Sequence, residues 1–288
     1  MPPVMFGLLS ALCWGTSDFV ARHAGRALGS LPALTGATAA GLLAMAAWLL
    51  ATGRPLPPLA ALDIWLLLAG LCLAGSLAVF YEALRRGPLA LVVPLTGSYP
   101  AWALLIAVAA QGVRPSLAAW ASMLTIMSGV AMVARFAHPD GDAIADRKRL
   151  RATMIAALLA GMMFGVAVAL VQQSFKGGHD PVTVTWHLRV VALVALVPVL
   201  FTIPWPRRVS PGWAAVLLGQ GTLDTLGYLA LFAAGPDLAG AEATVASSAF
   251  GVVTVLLALI LLRERPSPPQ WSGMGLVFGG VMVLGGLG

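Results

Sequence analysis

The sequence predicts an all-α membrane protein in which ten transmembrane helices form two inverted five-helix repeats. Three observations predict this fold. Hydrophobic residues make up 59% of the 288 residues and charged residues only 10%, whereas a soluble domain carries about 25% charged residues. The chain divides into ten apolar segments of about 20 residues, which is the length that a helix needs to cross a bilayer. Short markers in the first half recur in the second half at a nearly constant spacing.

The ten apolar segments are separated by turns and by one longer polar connection. Pairs such as Gly87-Pro88 and Gly177-Gly178 mark two of the breaks, because glycine and proline interrupt helices and favour turns. The most polar connection follows the fifth segment, so we predict a first repeat over residues 1–137, a cytoplasmic linker over 138–151 and a second repeat over 152–288. The predicted spans are residues 3–22, 31–52, 63–84, 89–110, 117–136, 152–174, 181–203, 212–233, 240–262 and 269–287.

The internal repeat rests on markers that recur in the same order in both halves. Gly129-Val130 recurs as Gly280-Val281 at an offset of 151, and Trp14-Gly15 recurs as Phe164-Gly165 at an offset of 150. Each half holds five spans, an odd number, so the second half enters the membrane from the opposite face. Inverted repeats related by a pseudo-twofold axis in the membrane plane are typical of secondary transporters, which bind substrate near the midplane between the halves.

Basic residues are unevenly distributed between the two faces of the predicted bundle. They concentrate in loops after odd-numbered spans, for example at Arg85, Arg86 and Arg147. Such loops face the cytoplasm under the positive-inside rule, so we predict a multi-pass protein of the cell (inner) membrane with both termini on the non-cytoplasmic side. The same bias accounts for the net charge of +6. No basic and aromatic residues interleave as in a nucleic-acid-binding segment, so we predict no nucleic-acid partner.

The clearest candidate binding residues are polar side chains inside the eighth span. Gln220, Asp224 and Tyr228 lie four residues apart and therefore share one face of a helix. An ionisable group inside a bilayer is costly, and for that reason it indicates a functional site. The stripe suits the wall of a polar cavity that binds substrate or protons. A buried structural hydrogen-bond network is the alternative.

The seventh span adds a second polar group, Trp186, His187 and Arg189. Arg189 has two alternative roles, a structural ion pair with Asp224 and a bidentate clamp on a substrate carboxylate. An imidazole titrates near neutral pH, so His187 is a candidate proton carrier, and simple hydrogen bonding is its alternative role.

Further candidates lie in the first, third, fourth and ninth spans. Asp18 stands one helical turn from Arg22, so substrate binding and an interfacial ion pair are alternatives. Pro100 frees backbone groups in the fourth span, and such groups are tolerated against protein or a wet cavity. Aromatic side chains can enclose a flat or cationic substrate, or they can pack in the core. These candidates are Trp14, Asp18, Tyr81, Tyr99, Trp102, Ser247, Ser248 and Phe250.

Two stretches carry recognisable helix signatures. One is LLSALCWGTSDF, from Leu8 to Phe19, and the other runs from Ala249 to Trp271 and ends LLALILLRERPSPPQW. They resemble the first helix and the ninth and tenth helices of EamA-type transporters, a branch of the drug/metabolite transporter superfamily. The resemblance implies a substrate cavity lined by helices of both repeats, and bacterial members are often exporters of amino acids or other metabolites. The second span lacks the arginine that members commonly carry there.

Together these observations predict a secondary transporter that exports small organic metabolites such as amino acids by alternating access. The alternatives are a lipid flippase, a metabolite exchanger without ion coupling and an intramembrane enzyme. The sequence contains no His-Glu-x-x-His motif and no nucleotide-binding loop, so we predict no enzymatic activity, no cofactor and no metal. The predicted partners are the lipid bilayer and a small-molecule substrate, with protons as the candidate coupling ion, and we expect a monomer.

Overall fold

Helices account for nearly all of the described chain. The computed structural model describes residues 2–111, 116–136, 144–202, 209–235, 243–244, 246–263 and 266–285. The helices are α1 (Pro3–Leu28), α2 (Ser30–Ala51), α3 (Ile64–Arg86), α4 (Leu89–Thr96), α5 (Tyr99–Gln111), α6 (Leu117–Arg135), α7 (Ile144–Lys176), α8 (Pro181–Leu200), α9 (Pro211–Ala233), α10 (Phe250–Leu257) and α11 (Pro268–Gly285).

The helices follow the ten predicted spans in order, with α4 and α5 together forming the fourth. Among the described residues, seven segments are long and apolar enough to cross a membrane, and two shorter apolar helices cover Trp120–Val133 and Phe250–Leu262. The fourth span is broken between α4 and α5 next to Pro94 and Pro100, because proline removes a backbone donor and interrupts the helical ladder. The ninth span ends in a π-helical turn, Ala258–Leu262.

The end of α1 and the start of α7 differ from the predicted spans. Helix α1 continues to Leu28 rather than ending at residue 22, because the first residue to leave the helical conformation is Gly29, with a φ of 95°. Helix α7 begins at Ile144, so residues 144–151 of the predicted linker are helical, while residues 138–143 lie outside the described residues.

Polar side chains fix the starts of three helices. Asp63 accepts a hydrogen bond from the Leu66 amide at 2.7 Å, and Asp180 accepts one from the Val182 amide at 2.9 Å. Ser210 accepts a longer bond from the Trp213 amide. Such N-caps satisfy amide groups that have no partner within the helix, and they place these residues at the membrane ends of α3, α8 and α9.

The two repeats make equivalent contacts at equivalent positions. A Cβ at Gly129 of α6 would lie 2.6 Å from the Gly273 carbonyl oxygen, and a Cβ at Gly280 of α11 would lie 3.1 Å from the Ser122 carbonyl oxygen. Ser122 and Gly273 are separated by the same 151 residues as Gly129 and Gly280. The contact between α6 and α11 therefore joins equivalent positions of the two repeats, as the pseudo-twofold symmetry of an inverted repeat requires.

The same symmetry governs the helices at the centre of the bundle. Helix α1 packs against α9 and α10, while its counterpart α7 packs against α3, α4 and α5. A Cβ at Gly15 would lie 2.7 Å from the Phe250 carbonyl oxygen, and a Cβ at Gly165 would lie 2.9 Å from that of Tyr99. These contacts confirm the predicted fold class, an all-α membrane protein of ten transmembrane helices built as two inverted five-helix repeats.

The bundle has two faces that the helix directions define. The terminal face carries the α2–α3 loop (52–63) and the α7–α8 corner (177–180), and α1 begins and α11 ends there. The arginine face is the opposite one, where α1 and α3 end and α7 begins, with Arg26, Arg85 and Arg147.

Candidate functional site

A small cavity of about 40 Å³ lies between the two repeats, where α1, α3, α4, α7, α9 and α10 meet. Both repeats contribute three of these helices, as the pseudo-twofold arrangement requires. The lining combines aromatic rings with two carboxyl groups and three hydroxyl groups. The lining residues are Trp14, Asp18, Ser76, Leu77, Phe80, Thr96, Phe164, Asp224, Tyr228 and Phe250.

Asp224 lines the cavity and forms an ion pair with the buried side chain of Arg189. The Arg189 Nη2 donates to its Oδ2 at 2.5 Å, and Arg189 is only 1% exposed. The guanidinium carbon also lies 5.0 Å from the centre of the Tyr228 ring, within the range of a cation–π contact. Of the two roles predicted for Arg189, the structure contains the ion pair with Asp224. The positive charge of Arg189 and the negative charge of Asp224 therefore compensate each other.

Gln220 and Tyr81 link α9 to α3 beside this pair. The Gln220 Nε2 donates to the Tyr81 hydroxyl oxygen at 2.5 Å, and the Ser17 hydroxyl donates to the Gln220 carbonyl oxygen at 3.4 Å. Trp14 donates its indole N–H to the Asp224 carbonyl oxygen at 3.2 Å. Gln220, Asp224 and Tyr228 therefore share one face of α9 as predicted, but Gln220 is committed to a buried link between helices.

Asp18 carries a carboxylate into the cavity. In the described part of the chain, no hydrogen bond or ion pair joins it to another side chain, and the alternative pairing with Arg22 is absent. Helix α1 runs on to Leu28. Asp18 consequently lies inside the helix rather than at the membrane interface. The lining thus contains one carboxyl group paired with an arginine, Asp224, and one without a cationic partner among the described residues, Asp18.

Several aromatic rings line the same cavity as Asp18. The centre of the Trp14 ring lies 4.8 Å from Tyr228, 5.7 Å from Phe164 and 6.4 Å from Phe250, in edge-to-face arrangements. Phe164 was not among the predicted site residues, although it is the repeat counterpart of Trp14. Four further lining residues were not predicted from the sequence: Ser76, Leu77, Phe80 and Thr96.

Tyr99 of the fourth span and Ser247 of the ninth span connect the two repeats. The Tyr99 hydroxyl donates to the Thr244 carbonyl oxygen at 2.9 Å, and it lies 2.8 Å from the Ser247 hydroxyl. The Tyr99 ring contacts Phe164 at 4.7 Å between centres. These residues lie next to the cavity and hold the two repeats together there.

The remaining predicted site residues lie away from the cavity. His187 is fully buried in α8, with Nδ1 2.9 Å from the Thr183 carbonyl oxygen and Nε2 3.2 Å from that of Pro58. Ser248 is buried, and the buried indole nitrogen of Trp102 has no hydrogen-bond partner within the part of the chain that the structure describes. Trp186 is half-buried on α8. Among the described residues, no group of three or more His, Cys, Asp or Glu side chains is placed to hold a metal ion.

Two inverted five-helix repeats around a central cavity define the class of ten-helix membrane transporters. The sequence model of the EamA-like transporter family matches residues 1–135 and again residues 151–286. The chain therefore belongs to the EamA-like transporter family, within the drug/metabolite transporter superfamily, and the predicted family is confirmed. It is a multi-pass membrane protein, and proteins of this family are transporters rather than enzymes.

Solved structures support the fold independently. There are 27 similar chains, and one of them, described as "Crystal structure of protein", is 20% identical over 98% of this chain and 94% of its own length, with a TM-score of 0.68. At this identity the likeness concerns the fold alone. No curated protein matches the chain.

Proposed function

We propose that the protein is a secondary transporter that exports small amine-bearing metabolites, such as amino acids, across the inner membrane by alternating access. The observation that carries the proposal is the Asp18 carboxylate, which faces the central cavity without a compensating charge among the described residues. A charged side chain inside a membrane is costly unless it is paired. A cationic partner is therefore expected to accompany Asp18, and an ammonium group is the simplest one that a small metabolite can supply.

The cavity wall supports the same substrate class. Trp14, Phe164 and Phe250 lie around the space in front of Asp18, and the faces of aromatic rings attract cations. The same rings offer an apolar surface to the rest of the substrate.

Proton exchange at Asp18 would couple transport to a gradient. A proton neutralises the carboxylate when the cavity holds no substrate, and a bound ammonium group replaces it. Export of amine would then be driven by proton entry. The sequence contains no nucleotide-binding loop, so a gradient is the expected energy source. In this scheme the arginine face is cytoplasmic, the termini are on the other side, and one monomer with its two repeats performs the cycle.

The test is uptake into proteoliposomes of a panel of labelled amino acids and simple amines, with and without a pH gradient. We expect saturable uptake by the native protein, accumulation when the gradient is imposed, and a loss of about 30-fold or more in Asp18→Asn, because removing one member of a buried charge pair costs 2 kcal/mol or more.

Two further variants make this test specific. Asp180→Asn is the matched control, since Asp180 caps α8 outside the cavity, and it should transport normally. Asp224→Asn reports whether the pair with Arg189 also contributes. Native-like uptake by Asp18→Asn would contradict the proposal, and uptake that ignores the pH gradient would leave an exchanger without ion coupling.

A further inference from the structure

Side chains from the two repeats are tied together at the terminal face. Asp63, which precedes α3, accepts a hydrogen bond from the Ser174 hydroxyl of α7 at 2.7 Å, and its Oδ2 lies 3.2 Å from the Nε2 of His179. We call Asp63, Ser174 and His179 the clasp. A second tie joins the same two regions, because the His187 Nε2 lies 3.2 Å from the Pro58 carbonyl oxygen of the α2–α3 loop.

The clasp is built on a fixed and charged carboxylate. The other Asp63 oxygen accepts the Leu66 amide at 2.7 Å, so the start of α3 holds the side chain in place. Burial alone would raise the pKa of Asp63, but the hydrogen bonds from Leu66 and Ser174 and the nearby His179 together hold it below its ordinary value. The side chains of Asp63 and His179 are 29% and 21% exposed, so water screens their attraction less than at an open surface.

The arginine face has different chemistry at the matching positions. Helices α3 and α9 are repeat counterparts, and the residue that precedes α9 in place of Asp63 is Ser210. The α7–α8 corner corresponds to the α1–α2 corner, where Leu28 stands 151 residues before His179. An uncharged hydroxyl and an apolar side chain therefore replace the carboxylate and the imidazole, and the two faces are chemically unequal.

We propose that the clasp is a gate lock that biases the resting transporter toward the state that is closed at the terminal face and open to the arginine face. This inference rests on the alternating access of the proposed function. In an inverted repeat, the two access states exchange the contacts of the two faces. Contacts that form at only one face stabilise the state in which that face is closed. They therefore raise the population of that state. A transporter that loads substrate from the arginine face gains from that bias.

Distance measurements between spin labels test the lock without any substrate. Labels at Leu59→Cys and Lys176→Cys, both exposed in the native chain, report the separation of the α2–α3 loop and the end of α7 in a background without Cys13 and Cys72. The native distribution should be dominated by one short distance. Asp63→Asn keeps a side chain that caps α3 but removes the charge. It should raise the population of a longer distance by about two- to tenfold, as expected when a hydrogen-bonded contact is weakened.

Two further variants keep the test decisive. Ser174→Ala removes a hydrogen bond of the clasp without touching the cap of α3, and it should shift the distribution in the same direction. Asp180→Asn is the matched control, because Asp180 lies beside His179 but its hydrogen bonds go to Val182 and Thr183 of its own helix. An unchanged distribution in both clasp variants would overturn the proposal, and so would an equal shift in Asp180→Asn.

Sided chemical labelling separates a gate from a structural tie. Leu77 lines the central cavity, so Leu77→Cys reports access to it from each face with an impermeant thiol reagent. Asp63→Asn should increase its labelling from the terminal face and decrease it from the arginine face, whereas general loosening would increase both and overturn the proposal. A reciprocal change without uptake of any amine would contradict the proposed substrate and leave the lock supported. Normal uptake of amine without the reciprocal change in labelling would support the proposed substrate and overturn the gate lock.

Discussion

At the scale of single residues, two carboxyl groups of the same cavity have different surroundings. Asp224 is compensated by Arg189, which is nearly inaccessible to solvent, whereas Asp18 has no such partner among the described residues. A compensated pair inside a membrane is a structural unit. An uncompensated carboxylate attracts a proton or a cation. The pair therefore shapes the cavity wall, and Asp18 is the residue to which we assign substrate selectivity in the proposed function.

The structural role of the Arg189–Asp224 pair leads to a prediction about stability. Arg189→Met should lower the thermal stability of the purified protein strongly, because it leaves a buried carboxylate unpaired, at a cost of about 3–5 kcal/mol. The double variant Arg189→Met/Asp224→Leu should recover most of the loss, since it removes both charges. Thermal unfolding in detergent measures both effects. A double variant as unstable as the single one would show that the pair is not the source of the loss.

At the scale of helices, close contacts between backbones hold the two repeats together. Hydrophobic attraction between helices is weak in lipid, so association depends on close packing of small residues. Gly129 and Gly280 allow α6 and α11 to approach until their backbones touch. Asp63, Asp180 and Ser210 define where the helices start at the two faces. The polar residues that cap helices therefore lie at the helix ends, and the glycines that allow close packing lie within the helices.

Substitutions of two neighbouring glycines test this packing. Gly280→Ala would place a Cβ 3.1 Å from the Ser122 carbonyl oxygen and 2.9 Å from the Ile126 side chain, whereas Gly279→Ala has nothing within 4 Å among the described residues. We expect Gly280→Ala to destabilise the protein by about 1–3 kcal/mol, as overpacking does. Gly279→Ala should be nearly neutral. Gly129→Ala, the repeat counterpart of Gly280→Ala, should cost a similar amount, and a neutral result for it would contradict the equivalence of the two contacts.

At the scale of the whole molecule, the sequence predicted the architecture well because its signals are local. Apolar segment length gives the spans, and the repeated Gly129 and Gly280 mark places where a side chain would collide with a neighbouring backbone. The cavity lining was predicted only in part. Asp224 and Tyr228 are recognisable because polar groups are rare in lipid, but the apolar Leu77 and Phe80 look like any other residues that face lipid or a neighbouring helix. Which apolar face turns inward depends on tertiary packing.

The uneven distribution of basic residues makes a prediction about the orientation of the whole molecule. Lys148 and its neighbours Arg147, Arg149 and Arg151 lie at the arginine face, and basic loops are retained in the cytoplasm. In a background without Cys13 and Cys72, Leu59→Cys should react with an impermeant thiol reagent added to intact cells, since Leu59 is exposed at the terminal face. Lys148→Cys should react only after the cells are permeabilised. The opposite pattern would invert the orientation, place the clasp at the cytoplasmic gate, and make the resting transporter open to the outside.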